Sequence, residues 1–200
     1  MVGWQIAITV LMTACVGSFA WAIAAHFRRS ALPNRKMRLL TLLGMAAFAL
    51  QLSAVWLESV AALRVALGLA LLVSSLVLFW WAVGETRRVR LPVAFDASHS
   101  SKVVATGPYS LVRHPFYLSY SIAWLGGAVG TSAWWAWIVP MGFIPVYLGL
   151  AMSEERALRH LPAPHGAEYE RYRDRTGMIF PRLFVRSIDA SPSRRSTTGA

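Results

Sequence analysis

"VALGLALLVSSLVLFWWAVG", residues 65 to 84, decides the fold class. The run carries no charge, and as a helix rising about 1.5 Å per residue it crosses the ~30 Å hydrocarbon core of a bilayer. Two more apolar runs precede it, from Trp4 to His26 and from about Leu39 to Leu57. Two follow, from Phe116 to Gly130 and from Ser132 to Met152. The run from Phe116 is short and lengthens if helix begins near Pro115. Pro140 and Pro145 predict kinks in the last run. Trp134, Trp135 and Trp137 stand at one end of it, where an interfacial aromatic belt belongs. The expected fold is an all-α integral membrane protein with about five transmembrane helices.

Composition agrees. Hydrophobic residues make up 56% of the 200, and mean hydropathy is +0.47, more than a soluble domain of this size needs. The formal charge of +11 fits nucleic acid, anionic lipid or membrane topology, so the positions of the charges decide. Arg28, Arg29, Arg35, Lys36 and Arg38 follow the first run. Arg87, Arg88, Arg90, Lys102 and Arg113 follow the third. Arg156, Arg159, Arg171, Arg173, Arg175, Arg182, Arg186, Arg194 and Arg195 follow the fifth. Of the 20 basic residues only Arg64 lies between the second and third runs. Five spans put the three rich segments on one face, which the positive-inside rule makes cytoplasmic. The N-terminus is then outside and the C-terminus inside, in a cell's inner membrane. The charge reads as topology, and no nucleic-acid partner is expected.

The first run is too long for a signal peptide's apolar core and has no preceding Lys or Arg, so it reads as a retained span. Cys15, the single cysteine, excludes an internal disulfide and reads as a small buried hydrophobe. "SIDASPSRRSTTGA" at the end is small, polar and expected to be disordered. The organisation is three N-terminal helices over 1–84, then a catalytic part over 85–186, then a disordered tail over 187–200. The catalytic part comprises a loop, the last two spans and a C-terminal helix.

Three stretches on the cytoplasmic face carry chemistry. In "GPYSLVRHPFYLSY", residues 107 to 120, Gly107 and Pro108 favour a turn. Pro115 suits the first turn of a helix, where its missing N–H costs nothing. Arg113 and His114 then sit at a helix N-terminus, which favours anions. Arg113 can clamp a carboxylate or anchor to lipid headgroups. In "MSEERALRHL", residues 152 to 161, Glu154 and Glu155 point about 100° apart on a helix, so one faces the bundle and one solvent. A carboxylate there meets an ammonium, a sulfonium or an arginine, or simply marks the solvent boundary. In "AEYERYRDRTGMIFP", residues 167 to 181, Tyr169 and Tyr172 share one helix face and Arg171 and Arg175 another. Gly177 ends that helix. The helix lies on anionic lipid or closes a pocket as a lid. The five histidines form no tight ligand spacing, so no metal is expected. No dinucleotide fingerprint, P-loop or serine elbow is present.

The combination "GPYSLVRHPFYLSY", a helical hairpin, "EE" and "YERYRDRTGMIFP" resembles the isoprenylcysteine carboxyl methyltransferase family, over roughly residues 85–184. That family belongs to a wider group of membrane methyltransferases that includes phospholipid and thiol methylating enzymes. The resemblance implies S-adenosylmethionine as cofactor, bound on the cytoplasmic side between the loop, the last hairpin and the C-terminal segment. It implies that Gly107, Tyr109, His114, Tyr117, Glu154 and Glu155 line the cofactor pocket. It also implies that Arg113 and Arg175 orient the substrate carboxylate. The implied acceptor is lipophilic, such as an isoprenylcysteine carboxylate. A small thiol or a phospholipid amine is the close variant. An NADPH-dependent sterol-reductase-like enzyme and a non-catalytic membrane protein are the alternatives. Two departures stand out: Ser119 replaces the family's usual glycine, and "LPAPHG" before Ala167 replaces a compact aromatic-glycine pair.

Overall fold

The computed structural model describes residues 3–26, 35–57, 59–88, 104–160 and 165–182. Helix α1 (Gly3–Trp21) runs on through a π-helical turn (Ala22–His26). It is followed by α2 (Arg35–Leu57), α3 (Ala62–Arg88), α4 (Pro115–Val129), α5 (Ile138–Arg159) and α6 (His165–Arg175). Short 3-10 turns, Gly107–Ser110 and Trp134–Trp137, lead towards α4 and into α5. Among the described residues the fold is all-helical apart from one isolated parallel bridge, Val112 with Gly177. Among the described residues four stretches are long and apolar enough to cross a membrane: Gly3–Ala24, Arg38–Leu57, Ala62–Arg88 and Trp134–Arg159.

The remaining predicted span is α4, which has 15 residues and is about 22 Å long. It is shorter than a bilayer core, and it is the helix the others surround. Pro115 does start it, with His114 as the preceding cap residue. Gly130 ends it, donating its N–H to the Gly126 carbonyl at 2.9 Å. Its buried residues are mostly small: Ser119, Ser121, Ala123, Gly126, Gly127 and Ala128. Small side chains let helix backbones approach closely, which replaces the hydrophobic driving force that lipid removes. A methyl group on Gly68 of α3 would sit 2.5 Å from the Gly130 Cα. The Ser75 hydroxyl of α3 donates to the Ser119 carbonyl at 2.8 Å. Ser119 is fully buried there, so serine in place of glycine still permits the contact.

Contacts at the two ends of the bundle give the helix directions. At one end Gln5 donates to the Val55 carbonyl at 3.3 Å, Arg64 to the Thr131 carbonyl at 3.1 Å and Ser132 to the Ser59 carbonyl at 2.8 Å. At the other end Trp21 lies 5.2 Å from Trp80, Phe79 5.5 Å from Phe116, and Arg113 meets Glu155. Helices α1 to α5 therefore alternate in direction, and α4 joins the two ends despite its length. Arg87, Arg88, Arg113, Arg156 and Arg159 all sit at the second end, and Arg64 at the first. The separation of charge read from the sequence is thus a geometric fact of the described residues. Arg28, Arg29, Arg90, Lys102, Arg186, Arg194, Arg195, the tail and most of "LPAPHG" lie outside them.

Two details of the apolar reading change. Because α5 begins at Ile138, Pro140 lies in its first turn, where an N–H has no helical partner to lose. Only Pro145 stands inside the helix. Gln51, in the middle of an apolar helix, is fully buried and donates to the carbonyls of Trp124 at 2.9 Å and Ala136 at 3.4 Å. It ties α2 to α4 and to the turn before α5. Cys15 is buried, as expected, with its thiol 3.7 Å from the Leu72 carbonyl.

Candidate functional site

The site forms where the start of α4, the end of α5 and the C-terminal segment meet. Before α4 the chain turns at Gly107, whose φ of +58° is the left-handed conformation glycine tolerates. Beyond the turn, Arg113 N–H donates to the Gly177 carbonyl at 2.8 Å and His114 N–H to the Met178 carbonyl at 3.1 Å. The segment after α6 is thereby fastened beside the entry to α4. A methyl group on Gly177 would lie 1.7 Å from the Phe180 carbonyl oxygen, so the fold-back there requires glycine. The Tyr172 hydroxyl donates to the Tyr109 carbonyl at 2.7 Å.

Glu154 and Glu155 diverge as their helical spacing demands. Glu155 is buried, with 4% of its surface exposed. Its Oε1 lies 2.7 Å from Arg113 Nη2, 2.8 Å from Arg113 Nε and 3.3 Å from His114 Nε2. Arg159 Nη2 stands 3.5 Å from its other oxygen. The anion that occupies the positive end of α4 is therefore the protein's own carboxylate. Glu154 is half-buried and accepts a hydrogen bond from the Tyr117 hydroxyl at 2.5 Å. His114 Nδ1 lies 3.5 Å from the Glu154 Oε2. His114 thus stands between the two carboxylates, one on each ring nitrogen. Tyr117 stacks on Tyr147 of α5 with ring centroids 5.9 Å apart.

Arg113 is nearly saturated. Besides Glu155, it donates through Nη1 to the carbonyls of Arg173, at 3.1 Å, and Thr176. It joins α4, α5 and the end of α6 in one knot. The structure brings Arg113, His114, Tyr117, Glu154 and Glu155 together. Gly107 and Tyr109 sit alongside, through the Tyr109–Tyr172 contact and through Glu85. Arg175, the other predicted arginine, is exposed at the end of α6. Tyr169 is buried and Tyr172 half-buried, while Arg171 and Arg175 are exposed, so the two faces of α6 divide as the spacing required.

Three further residues border the site. Glu85, at the end of α3, accepts a hydrogen bond from the Thr106 hydroxyl, and its Oε2 would lie 2.9 Å from a methyl on Gly107. Its signal in the sequence was a carboxylate directly after an apolar run. Arg159 reaches Glu155 from one turn further along α5, a spacing visible in the sequence, whereas Tyr169 has no such marker, because only the docking of α6 on α5 brings it in. Burial pushes the Tyr169 phenol up to about 12; Glu155 adds to this, and Arg113 and Arg159 oppose it. Burial also raises Tyr109.

A helical bundle carrying carboxylates, tyrosines and arginines at one end suits a membrane-bound enzyme of group transfer. Residues 63–161, from the first turn of α3 to just past α5, match the family model described as phospholipid methyltransferase. That family lies in the same membrane methyltransferase group as the isoprenylcysteine carboxyl methyltransferases, so the resemblance read from the motifs holds at the level of the group. Two curated relatives share 36% identity over 85 residues, which is 42% of this chain and 38% of each relative. They are the nickel-cobalt-cadmium resistance protein NccN of Alcaligenes xylosoxydans xylosoxydans and the cobalt-zinc-cadmium resistance protein CzcN of Cupriavidus metallidurans. The chain thus spans well under half the length of the curated relatives it matches. No solved structure matches.

Proposed function

We propose that this chain is an S-adenosylmethionine-dependent methyltransferase embedded in the membrane, with its site on the cytoplasmic face. Its acceptor is lipophilic, such as an isoprenylcysteine carboxylate, with a phospholipid amine or small thiol as the variant. The observation that carries this is the meeting of Arg113, His114 and Tyr117 with Glu154 and Glu155, on the helices that match the methyltransferase family.

The residues fit such a cofactor. Glu154 is a half-buried carboxylate held by Tyr117, and the rings of Tyr117 and Tyr109 stand near it. Negative charge and aromatic faces suit a cation. When bound, S-adenosylmethionine supplies an electrophilic methyl group. The chain's own residues then position, shield and neutralise. Glu154 and the tyrosines hold the cationic ligand. Arg113 fixes Glu155 and the C-terminal segment, which covers the site and excludes water. Arg175, exposed beside it, is available to an acceptor arriving from solvent or the headgroup layer. An acceptor that arrives ionised needs no base, so catalysis reduces largely to positioning. The apolar bundle beneath keeps a lipid tail in the bilayer while its polar end reaches the site.

The relatives' names concern metal resistance, but among the described residues no three His, Cys, Asp or Glu side chains group to hold a metal ion. The reading therefore stays with methyl transfer. Binding to the purified protein in detergent tests it. S-adenosylmethionine is expected to bind, and Glu154→Gln and Glu155→Gln to weaken binding about tenfold or more. Binding of NADPH in its place would support the reductase alternative, and binding of neither the non-catalytic one.

A further inference from the structure

We infer that Tyr147 is a positioning residue for the methyl donor, an inference that rests on the methyltransferase reading and deepens it. Glu155 is bound by Arg113, so Glu154 is the carboxylate left to meet a cation. Yet Glu154 is held lightly. Its side chain is 30% exposed. One oxygen accepts from the Tyr117 hydroxyl at 2.5 Å. The other lies 3.5 Å from His114 Nδ1, beyond ordinary hydrogen-bond length. Where the carboxylate stands therefore follows where the Tyr117 ring stands. Holding a charged group within about 0.5 Å of its working place is what a binding site demands, and a shift of about 1 Å can cost a hundredfold.

Tyr147 sets that ring. It stands seven residues before Glu154 on α5, on the same face and about 10 Å below it. The Tyr117 side chain of α4 bridges the two, with its ring stacked on Tyr147 at 5.9 Å and 18° and its hydroxyl on Glu154. Tyr147 is itself pinned. It is buried, and its hydroxyl accepts from the Trp124 Nε1 at 3.0 Å. Tyr120 and Phe143 close on its ring at 5.6 Å and 5.8 Å. A line of contacts thus runs Trp124–Tyr147–Tyr117–Glu154, from the packed bundle to the open end of the site. Packing alone would be served by phenylalanine at 147. The hydroxyl adds a fixed height and tilt, because the Trp124 N–H is a donor in a set direction. Glu155 needs no such support, since Arg113 grips it directly.

Calorimetry on the full chain in nanodiscs, with S-adenosylmethionine as titrant, tests this through a double-variant cycle. Tyr117→Phe keeps the ring and removes the hydroxyl that reaches Glu154. Tyr147→Leu removes the ring that Tyr117 stacks on. Each alone is expected to weaken binding about tenfold. Together they should be within about twofold of either alone, because both act through one carboxylate. Tyr147→Phe keeps the stack and should lose about threefold. Hydrogen exchange over 165–182 should stay unchanged, since Arg113 and Glu155 hold that segment without Tyr147. Wild-type affinity in Tyr147→Leu overturns the inference. So do losses that simply multiply, or faster exchange over 165–182, which general loosening of α4 and α5 would give. If Tyr147→Leu does not fold, Tyr147→Phe carries the same cycle. Its smaller loss must then vanish in the Tyr117→Phe background, and its absence or persistence there overturns the inference. A wild type that binds no S-adenosylmethionine sinks the methyltransferase reading, and this role with it.

Discussion

The buried pair of Arg113 and Glu155 makes the sharpest demand on stability. Their side chains are 7% and 6% exposed, so water replaces little of what either loses. Glu155→Gln keeps the shape and removes the charge. Breaking a buried pair from one side costs about 3–5 kcal/mol, chiefly through the ion left behind. Here the cost should fall near about 3 kcal/mol. Gln keeps an acceptor oxygen, and Arg113 keeps the carbonyls of Arg173 and Thr176. The exposed Arg159 adds well under about 1 kcal/mol. Arg113→Met should cost a similar amount by stranding the carboxylate. The double variant Arg113→Met/Glu155→Leu should cost clearly less than Arg113→Met and Glu155→Leu made singly and summed, with a coupling of about 2 kcal/mol or more. The assay is reversible unfolding in mixed micelles, with hydrogen exchange over 165–182 to show whether the C-terminal segment loosens first. Single variants within about 0.5 kcal/mol of wild type, or strictly additive effects, would refute the reasoning.

Gly68→Ala should destabilise the bundle by about 1–3 kcal/mol, because its methyl group would meet the Gly130 backbone, which cannot rotate away; unchanged unfolding would show that α3 and α4 do not pack so closely. Alkaline titration should loosen α6. The docked Tyr169 phenol is raised to about 12 from an ordinary value of about 10, so its contribution is intact below the ordinary value and lost as pH rises through the docked one. Phenolate absorbance lost from that window in Tyr169→Phe would support this, and an ordinary titration of Tyr169 would refute it. A reporter fused to the C-terminus should lie in the cytoplasm and one at the N-terminus outside, as the basic end requires; the reverse would place the site where soluble cytoplasmic donors cannot reach.

Most of the helices were legible because an apolar run in a bilayer has few ways to satisfy its backbone. Residues 65–84 could hardly be anything else. Local chemistry was legible for the same kind of reason. Pro115 starts α4 and Gly107 takes a left-handed turn, since those residues carry their conformations with them. The divergence of Glu154 and Glu155 follows from helical geometry alone. Less was visible wherever partners are distant in sequence. Pro140 read as a kink because the run did not say where helix begins. A lone Gln51 in an apolar run was the available sign of a polar tie between helices, and it passed unread.

The sequence by itself determined the apolar helices, the gathering of basic residues at one end, and the residue types that gather there. Each depends on composition over a short window or on a residue's own backbone preference. Only the tertiary structure decided that α4, the shortest of the apolar helices, lies among the others, since that rests on small faces meeting Gly68 and Ser75. It also decided that Arg113 is occupied by Glu155 and that Tyr169 is buried. Those outcomes depend on how the start of α4, the end of α5 and α6 settle on one another, which side-chain charge and shape fix across gaps of some forty to sixty residues, beyond the reach of any local pattern.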